Sequence, residues 1–509
     1  MALRYIDYSP FMNRSNPVLD FLFELGAYHR DRVNKYKTYW DFYEGRHWSY
    51  DDARSVTFNY TRKIVDIKSN FLVKNGFEIT IPDNPLTMAS EPESRSFIKA
   101  VLDDQWRRND KEQFMIEATQ MGGVTGDLFI RLSIDTHDED GEKYIKTSIL
   151  PSQYVFPIYG GDTGTDRTKM LECHIIYPVV EYSTRKKGFF KKENIDQKAV
   201  MWHREIWTKD LVELYQGENL KSTEPNLFEE IPIVHIKNYP NTNDDFGISD
   251  LEDIIPIQKL LNEKATDISD VIDYHGSPVT ILKGARIDNV ERGADKVWSL
   301  PVDADASNLE LSGDLKANLQ FLDKIYKSLL DISSVPEQVL NPSKSISNTP
   351  GVALHMTYLP LIENRRIKTI TYAKGLKKIN RLMLKILRFI NPTFKTKFDE
   401  LGSGRFRTDI SFGQPLPRDE SLELQNKQTR LNMGITDRVA ELVRDGIGEQ
   451  DAIRMIDKAD ADHIKRLEKI AEIESSYNVK SKPRSVFGNP KTPDPVVQGD
   501  KVSINSLKN

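Results

Sequence analysis

The stretch GDLKANLQFLDKIYKSLLDISSVPEQVLNPSKSISNTPGVALHMTYLPLIENRRIKTITYAKGLKKINRLMLKILRFI, residues 313–390, reads as a helix, a polar loop and a much longer helix. Leu315, Leu319, Leu322, Ile325, Tyr326 and Leu329 recur at helical spacing on the first segment. Ser334-Val335-Pro336 ends that run, because a proline pushes the residue before it out of the helical region. Residues 341–351, NPSKSISNTPG, are polar and rich in breakers, with Ile346 as their one core-forming residue. From Val352 to Ile390 the helical pattern resumes. At about 1.5 Å per residue it would span roughly 57 Å, too long for one small globule, and Pro360 is expected to bend it near its start. A loop hung between two long helices is unusual in an enzyme and natural in a mechanical part.

Upstream, residues 18–50 read as an aromatic-rich helix closed by Gly45, and residues 59–75 as a second helix with Ile64, Ile67, Phe71 and Leu72 on one face. A short strand at 77–81 and a third helix over 94–122 follow. The period then changes to two. GDLFIRLSID (126–135), YIKTSILPSQYVFPIY (144–159), CHIIYPVVEY, VMWHREIWTKD, LVELYQ and IPIVHIKN (231–238) make a β-rich region of 115 residues or so. Ser249 followed by Glu252 has the form of a capping box, predicting a helix from there to Gly276. SPVTILKG, KVWSLPV and LELSG read as short strands around a possible helix at 287–293. Beyond Pro392 the pattern predicts a strand-like return, FRTDISFGQPLP, then helices over 420–433, 436–445 and 449–476. The tail from Lys480 is proline-punctuated and polar, a composition that cannot bury a core. No internal repeat is found. The fold class is α+β, mainly helical.

Composition narrows the class. The chain has 509 residues, roughly three domains at about 150 residues each. Apolar content of 39% and charged content of 29% suit a protein with much surface, elongated or assembled with copies of itself. The net charge of −5 does not announce nucleic-acid binding. No apolar run is long enough to span a membrane, and the first residues lack a secretory h-region. One cysteine, Cys173, excludes an internal disulfide and favours a reducing compartment.

Catalytic signals are weak. Residues 122–127, GGVTGD, lack the Lys-Ser/Thr of a phosphate loop and precede a strand, so a helix-to-strand turn is the better reading; 401–407, LGSGRFR, is read likewise. His174 beside Cys173 has no second ligand pair, and His203 and His235 fit strand patterns as ordinary packed or surface histidines. Tyr39, Trp40, Tyr43 and Trp48 fit a helix core better than a base-stacking platform. No catalytic residue, metal site or cofactor is assigned. Two charge patterns are sharper. Glu263, Asp267, Asp270 and Asp273 step by four, three and three, placing carboxylates on one helix face that would repel rather than grip a phosphate backbone. The bland reading, a solvated acidic face, stands beside that one. Lys374, Lys378, Arg381, Lys385 and Arg388 form a basic stripe opposite Leu376, Ile379, Met383, Ile386 and Ile390. It suits ion pairs to a neighbouring subunit, with DNA or a membrane surface as alternatives.

The order YWDFYEGRHW (39–48), FNYTRKIVDIKSNFLVKNG, GDLFIR, LPSQYVFPIY, FGISDLEDIIPIQKLLNE, SPVTILKG and PGVALHMTYLPL resembles the portal proteins of tailed double-stranded DNA bacteriophages, over roughly residues 28–476. Pro350 stands where that family's loop pattern has a serine. The resemblance implies a non-enzymatic ring, usually a dodecamer, at one capsid vertex, through which double-stranded DNA is packaged and ejected. It implies a wing (1–248), stem helices (249–276 and 314–340) bracketing a clip (277–313), and a tunnel loop (341–351). A long wing helix with return strand (352–417), a crown (418–477) and a tail (478–509) complete the expected division. Channel-facing residues would be Glu263, Asp267, Asp270, Asp273, Lys344, Ser345, Ser347 and Asn348, with the basic stripe at a subunit interface. Expected partners are copies of the chain, DNA in the channel, the terminase large subunit, major capsid protein, scaffolding protein and head-tail connector proteins, with no membrane. The expected location is the virion, after assembly in the host cytoplasm. The alternatives are an adaptor or tail protein without a DNA channel, and a DNA-processing enzyme subunit; the latter would need clustered Mg²⁺-binding carboxylates or a complete phosphate loop.

Overall fold

The computed structural model describes residues 27–48, 55–82, 92–137, 141–160, 169–185, 195–276, 280–283, 305–308, 315–340, 351–400, 407–415, 420–444 and 449–480. The chain divides into two compact units, Met1–Pro415 and Leu416–Asn509.

In the first unit, α1 (Ala27–Tyr43) and α2 (Tyr60–Val73) precede β1 (Phe77–Thr80). Asn59 caps α2 by accepting from the Arg62 N–H at 3.1 Å. At the other end of α2, Arg365 donates to the Phe71 carbonyl at 2.9 Å and the Leu72 carbonyl at 3.3 Å, a cation on the negative end of the helix. Helices α3 (Pro92–Arg108) and α4 (Lys111–Thr125) occupy the span expected to be one helix. The break lies at Asn109 and Asp110. Asp110 takes a left-handed φ of 47°, which Asp tolerates better than most residues. The Asn109 side chain donates to Ile145 O at 2.8 Å and accepts from Thr147 N at 2.7 Å, covering the outer edge of the sheet.

That sheet has the order β3-β2-β9: β2 (Asp127–Thr136) between β3 (Lys143–Leu150) and β9 (Ile233–Lys237), all antiparallel. A second sheet is a five-stranded meander of β4 (Val155–Gly160), β5 (Lys169–Arg185), β6 (Ile195–Thr208), β7 (Leu211–Gln216) and β8 (Asn219–Pro225). The polar strand β8 has no apolar alternation and went unread in the sequence. Pro151 stops the expected strand run, and Ser152–Tyr154 form a 3₁₀ turn between β3 and β4.

Helix α5 (Ile255–Gly276) starts six residues later than the Ser249 capping box predicts. Ser249 Oγ donates to Val124 O at 2.6 Å and accepts from Leu251 N at 3.0 Å, while Glu252 pairs with Lys35 at 3.1 Å instead of returning to Ser249. The box residues are therefore used in tertiary contacts. Strands β10 (Thr280–Lys283) and β11 (Asp305–Asn308) pair antiparallel. Helix α6 (Leu315–Ser333) ends at Ser334 with φ 58°, and α7 (Glu337–Leu340) is one turn long. The expected helix at 287–293, the strand KVWSLPV, the turn at 401–406, most of the loop at 341–351 and the tail beyond 480 lie outside the described residues.

The 40-residue α8 (Gly351–Ile390) is the axis of the first unit. Tyr372, Leu376, Ile379, Leu382, Met383, Ile386 and Leu387 join Trp106, Phe77, Leu128, Ile130 and Ile236 in one buried cluster. Trp106 Nε1 donates to Asn380 Oδ1 at 2.8 Å inside it. Residues 391–400, unassigned in the sequence, begin α9 (Pro392–Glu400), with proline at its first position and Asn391 Oδ1 capping Phe394 N at 2.9 Å. The return strand is β12 (Asp409–Phe412), which pairs with β1.

The second unit holds α10 (Glu420–Asn432), α11 (Arg438–Arg444) and α12 (Glu449–Lys480). Arg430 makes two 2.9 Å bonds to Glu441, joining α10 to α11.

Candidate channel surface

Helix α5 is sorted by its own sequence. Leu261, Asn262, Ala265 and Ile268 are buried, and Glu263, Asp267, Asp270 and Asp273 are all exposed. Leu261 meets Ile325, Leu329 and Leu330 of α6 and Ile64 of α2 in a second apolar cluster. The rotation of α5 is also held by polar contacts. Gln258 Nε2 donates to Phe58 O at 2.6 Å, Phe58 N donates to Asn262 Oδ1 at 3.1 Å, and Val56 N donates to Thr266 Oγ1 at 3.0 Å. With residues 56–58 bound along one side, the carboxylates face away from the core. Over the ten steps from Glu263 to Asp273 they cover about 15 Å of helix at about 1.5 Å per residue. Lys264 pairs with Asp267 at 2.8 Å, so the stripe is partly neutralised at that turn.

The basic stripe of α8 is divided. Arg381 pairs with Glu230, and Arg388 pairs with Asp399 at 2.6 Å. Burial pulls the Lys378 ammonium down, with Glu230 opposing. Lys374 is exposed and Lys385 half-buried. Lys344, Ser345, Ser347 and Asn348 lie outside the described residues.

Two buried ionic hubs anchor the start of α5, and sequence spacing does not reveal them. Asp250, its side chain fully buried, accepts from Lys68 of α2 at 3.1 Å, from Lys368 of α8, and from Tyr239 OH at 3.2 Å. Burial pushes its carboxyl up, but Lys368 and Lys68 outweigh that and hold it below the usual range. Burial pulls the Lys368 ammonium down to about 8, against the attraction of Asp250. In the second hub, Asp127 accepts from Tyr36 OH at 2.5 Å and Gly247 N at 2.7 Å, and faces His235 Nε2 at 2.7 Å. Burial and Asp127 push the Tyr36 phenol well up, keeping it a donor. Thus Asp127 and His235, read as a turn residue and an ordinary strand histidine, bind one buried cluster. Tyr239 apart, the partners lie 91 to 182 residues apart in sequence, too far for any local pattern to connect them.

Residues 122–125 are the last turn of α4, and Gly126 at φ 84° turns the chain directly into β2, so the stretch expected to be a helix-to-strand turn is mostly helix. Tyr39 is buried, while Trp40 and Tyr43 pack against the same apolar cluster. Cys173 and His174 are buried in β5. Among the described residues no group of His, Cys, Asp or Glu is placed to hold a metal ion, and no helix is long and apolar enough to cross a membrane.

Comparison with solved structures gives distant likenesses, among them two chains of GTA particles. A chain of "Neck of empty GTA particle computed with C6 symmetry" is 13% identical at a TM-score of 0.44, covering 76% of this chain and 90% of that one. A chain of "Virion of native gene transfer agent (GTA) particle" is 11% identical at 0.40, covering 76% and 89%. No curated protein matches. The family model "Phage portal protein, SPP1 Gp6-like" matches residues 24–440, from the first helix through α10 and into α11. That match spans most of the chain, and the protein belongs to the SPP1 Gp6-like family of phage portal proteins.

Proposed function

We propose that the protein assembles into a ring at the unique vertex of a phage capsid, and that double-stranded DNA passes through its pore during packaging and ejection. Family membership over residues 24–440 carries this reading. The exposed carboxylates of α5 support it physically. DNA that must slide cannot be gripped, and like charge at the wall opposes tight phosphate contacts that would stall passage. On this reading α5 and α6 are stem helices bracketing a clip, residues 341–351 are the tunnel loop, and the second unit is the crown. Lys344 touches phosphate transiently, with Ser345, Ser347 and Asn348 beside it on the loop. Lys374 and Lys385 contribute to the contact between subunits. The ring is a dodecamer that docks the terminase large subunit and later head-tail connector proteins, while contacting major capsid and scaffolding proteins. Its work is mechanical and non-enzymatic, within a particle assembled in the host cytoplasm.

Electron-microscopy class averages of the purified protein test the reading. Closed rings with an open pore wide enough for duplex DNA are expected. Monomers or dimers under assembly conditions would sink it, and rings with a blocked or narrow pore would mark an adaptor instead.

A further inference from the structure

Helix α12 carries an apolar arc that its own unit covers only in part. At about 100° per residue, Ile453 and Ile464 fall on one flank of the arc, Leu467 and Ile470 follow around it, and Met455 lies on the far flank. The arc takes up about half of the helix circumference. Asp460 and His463 interrupt it, and Arg438 neutralises Asp460 at 2.8 Å. Helix α11 packs on the first half of α12, where Ala452 is fully buried. Even there Ile453 and Met455 stay 43% and 53% exposed, so the middle of the arc is covered and both flanks are open. Beyond Asp460 every residue from 461 to 473 is exposed, with Ile464, Leu467 and Ile470 each more than half exposed. A helical end of that length has little stability in water unless its apolar face is packed.

The two flanks carry different charge. Asp457 and Glu468 border the side of Ile464, while Arg466 and Lys469, outnumbering Asp462, border the side of Met455. An antiparallel two-fold pair would set each flank against itself, like charge on like. Parallel copies set the acidic flank of one against the basic flank of the next. Arc width then separates the parallel arrangements. A two-stranded coil buries a narrow seam and would leave the flanks of so wide an arc in water, whereas a copy on each side covers both. We propose that α12 is a contact between copies of this chain, each helix lying parallel between two others. Ile464, Leu467 and Ile470 are buried there, and Glu468 faces Arg466 and Lys469 of the next copy. Helix α12 begins beyond residue 440, where the family match ends, so family membership does not by itself supply this contact. The inference rests on the ring reading, because rotation about one axis keeps neighbouring helices parallel.

Hydrogen exchange on the full chain, assembled and unassembled, tests the contact. Amides of residues 461–473 are expected to exchange about tenfold or more slowly in closed rings than in the unassembled chain. Glu468→Lys should remove most of that protection. Adding Arg466→Glu and Lys469→Glu to it should restore the protection, since both flanks are then reversed together. Rings in which 461–473 exchange as fast as in the unassembled chain overturn the proposal and leave the ring reading intact. Protection already present without assembly also overturns it, because the chain would then cover the arc itself. So does a triple variant no better protected than Glu468→Lys alone. Failure to form rings at all overturns the ring reading, and this contact with it.

Discussion

At the residue scale, the tightest constraint is the contact between Gly126 and Gly247. Gly126 has φ 84°, its N–H donates to Gly122 O at 2.8 Å, and its carbonyl accepts from Asn238 N at 2.8 Å. A Cβ there would lie 2.8 Å from both Gly247 O and Ser249 N, and one on Gly247 would collide with Gly126 O. The end of α4 and the approach to α5 thus meet backbone to backbone. Gly126→Ala therefore combines the left-handed penalty, about 1–2 kcal/mol, with a clash that neither backbone can relieve by a rotamer change. Gly217 provides the comparison, because its φ is 60° and a Cβ would meet nothing within 4 Å. Urea denaturation is expected to show Gly217→Ala losing about 1 kcal/mol and Gly126→Ala at least twice that. Equal losses would mean the close approach contributes nothing.

At the element scale, helix existence follows apolar periodicity and helix ends follow tertiary contacts. Helices α2, α6 and α8 and strands β2 and β9 are legible because their apolar stripes are the surfaces they bury. The break at Asn109 is not legible, since its cause is a strand edge formed by residues 145 and 147. The failed capping box has the same origin: Ser249 satisfies a carbonyl 125 residues away. Helix α9 escapes notice because Phe394 is its one buried side chain. The acidic stripe is legible because i, i+4 and i+3 spacing fixes it without reference to any other element, whereas the Asp250 hub needs three distant segments to meet. Glu263, Asp267 and Asp270 are exposed and make no buried contact, so reversing all three to lysine should change stability by no more than about 1 kcal/mol. On the portal reading, rings of the triple variant form normally, while particles carrying it package less DNA. Rings that fail to form would place those carboxylates in a subunit interface.

At the scale of the whole molecule, the two units differ in what holds them. The large apolar clusters among the described residues lie in the first unit, where α8 gathers residues from both ends of the segment. In the second, Leu424, Met433, Ile464, Leu467, Ile470 and Ile473 are each at least half exposed, and its helices are tied by the Arg430–Glu441 and Arg438–Asp460 ion pairs. Apolar helix faces of that kind give little stability to an isolated chain. The first unit should therefore fold without the second. A chain ending at Pro415 is expected to keep the main thermal transition of the full protein to within about 2 °C, because a shift beyond that would require the second unit to supply on the order of 1 kcal/mol. Its far-ultraviolet circular dichroism should lose only the helical signal of α10, α11 and α12. Loss of the transition, or a denatured truncated chain, would show that the first unit depends on the second and that the division at Pro415 is not a folding boundary.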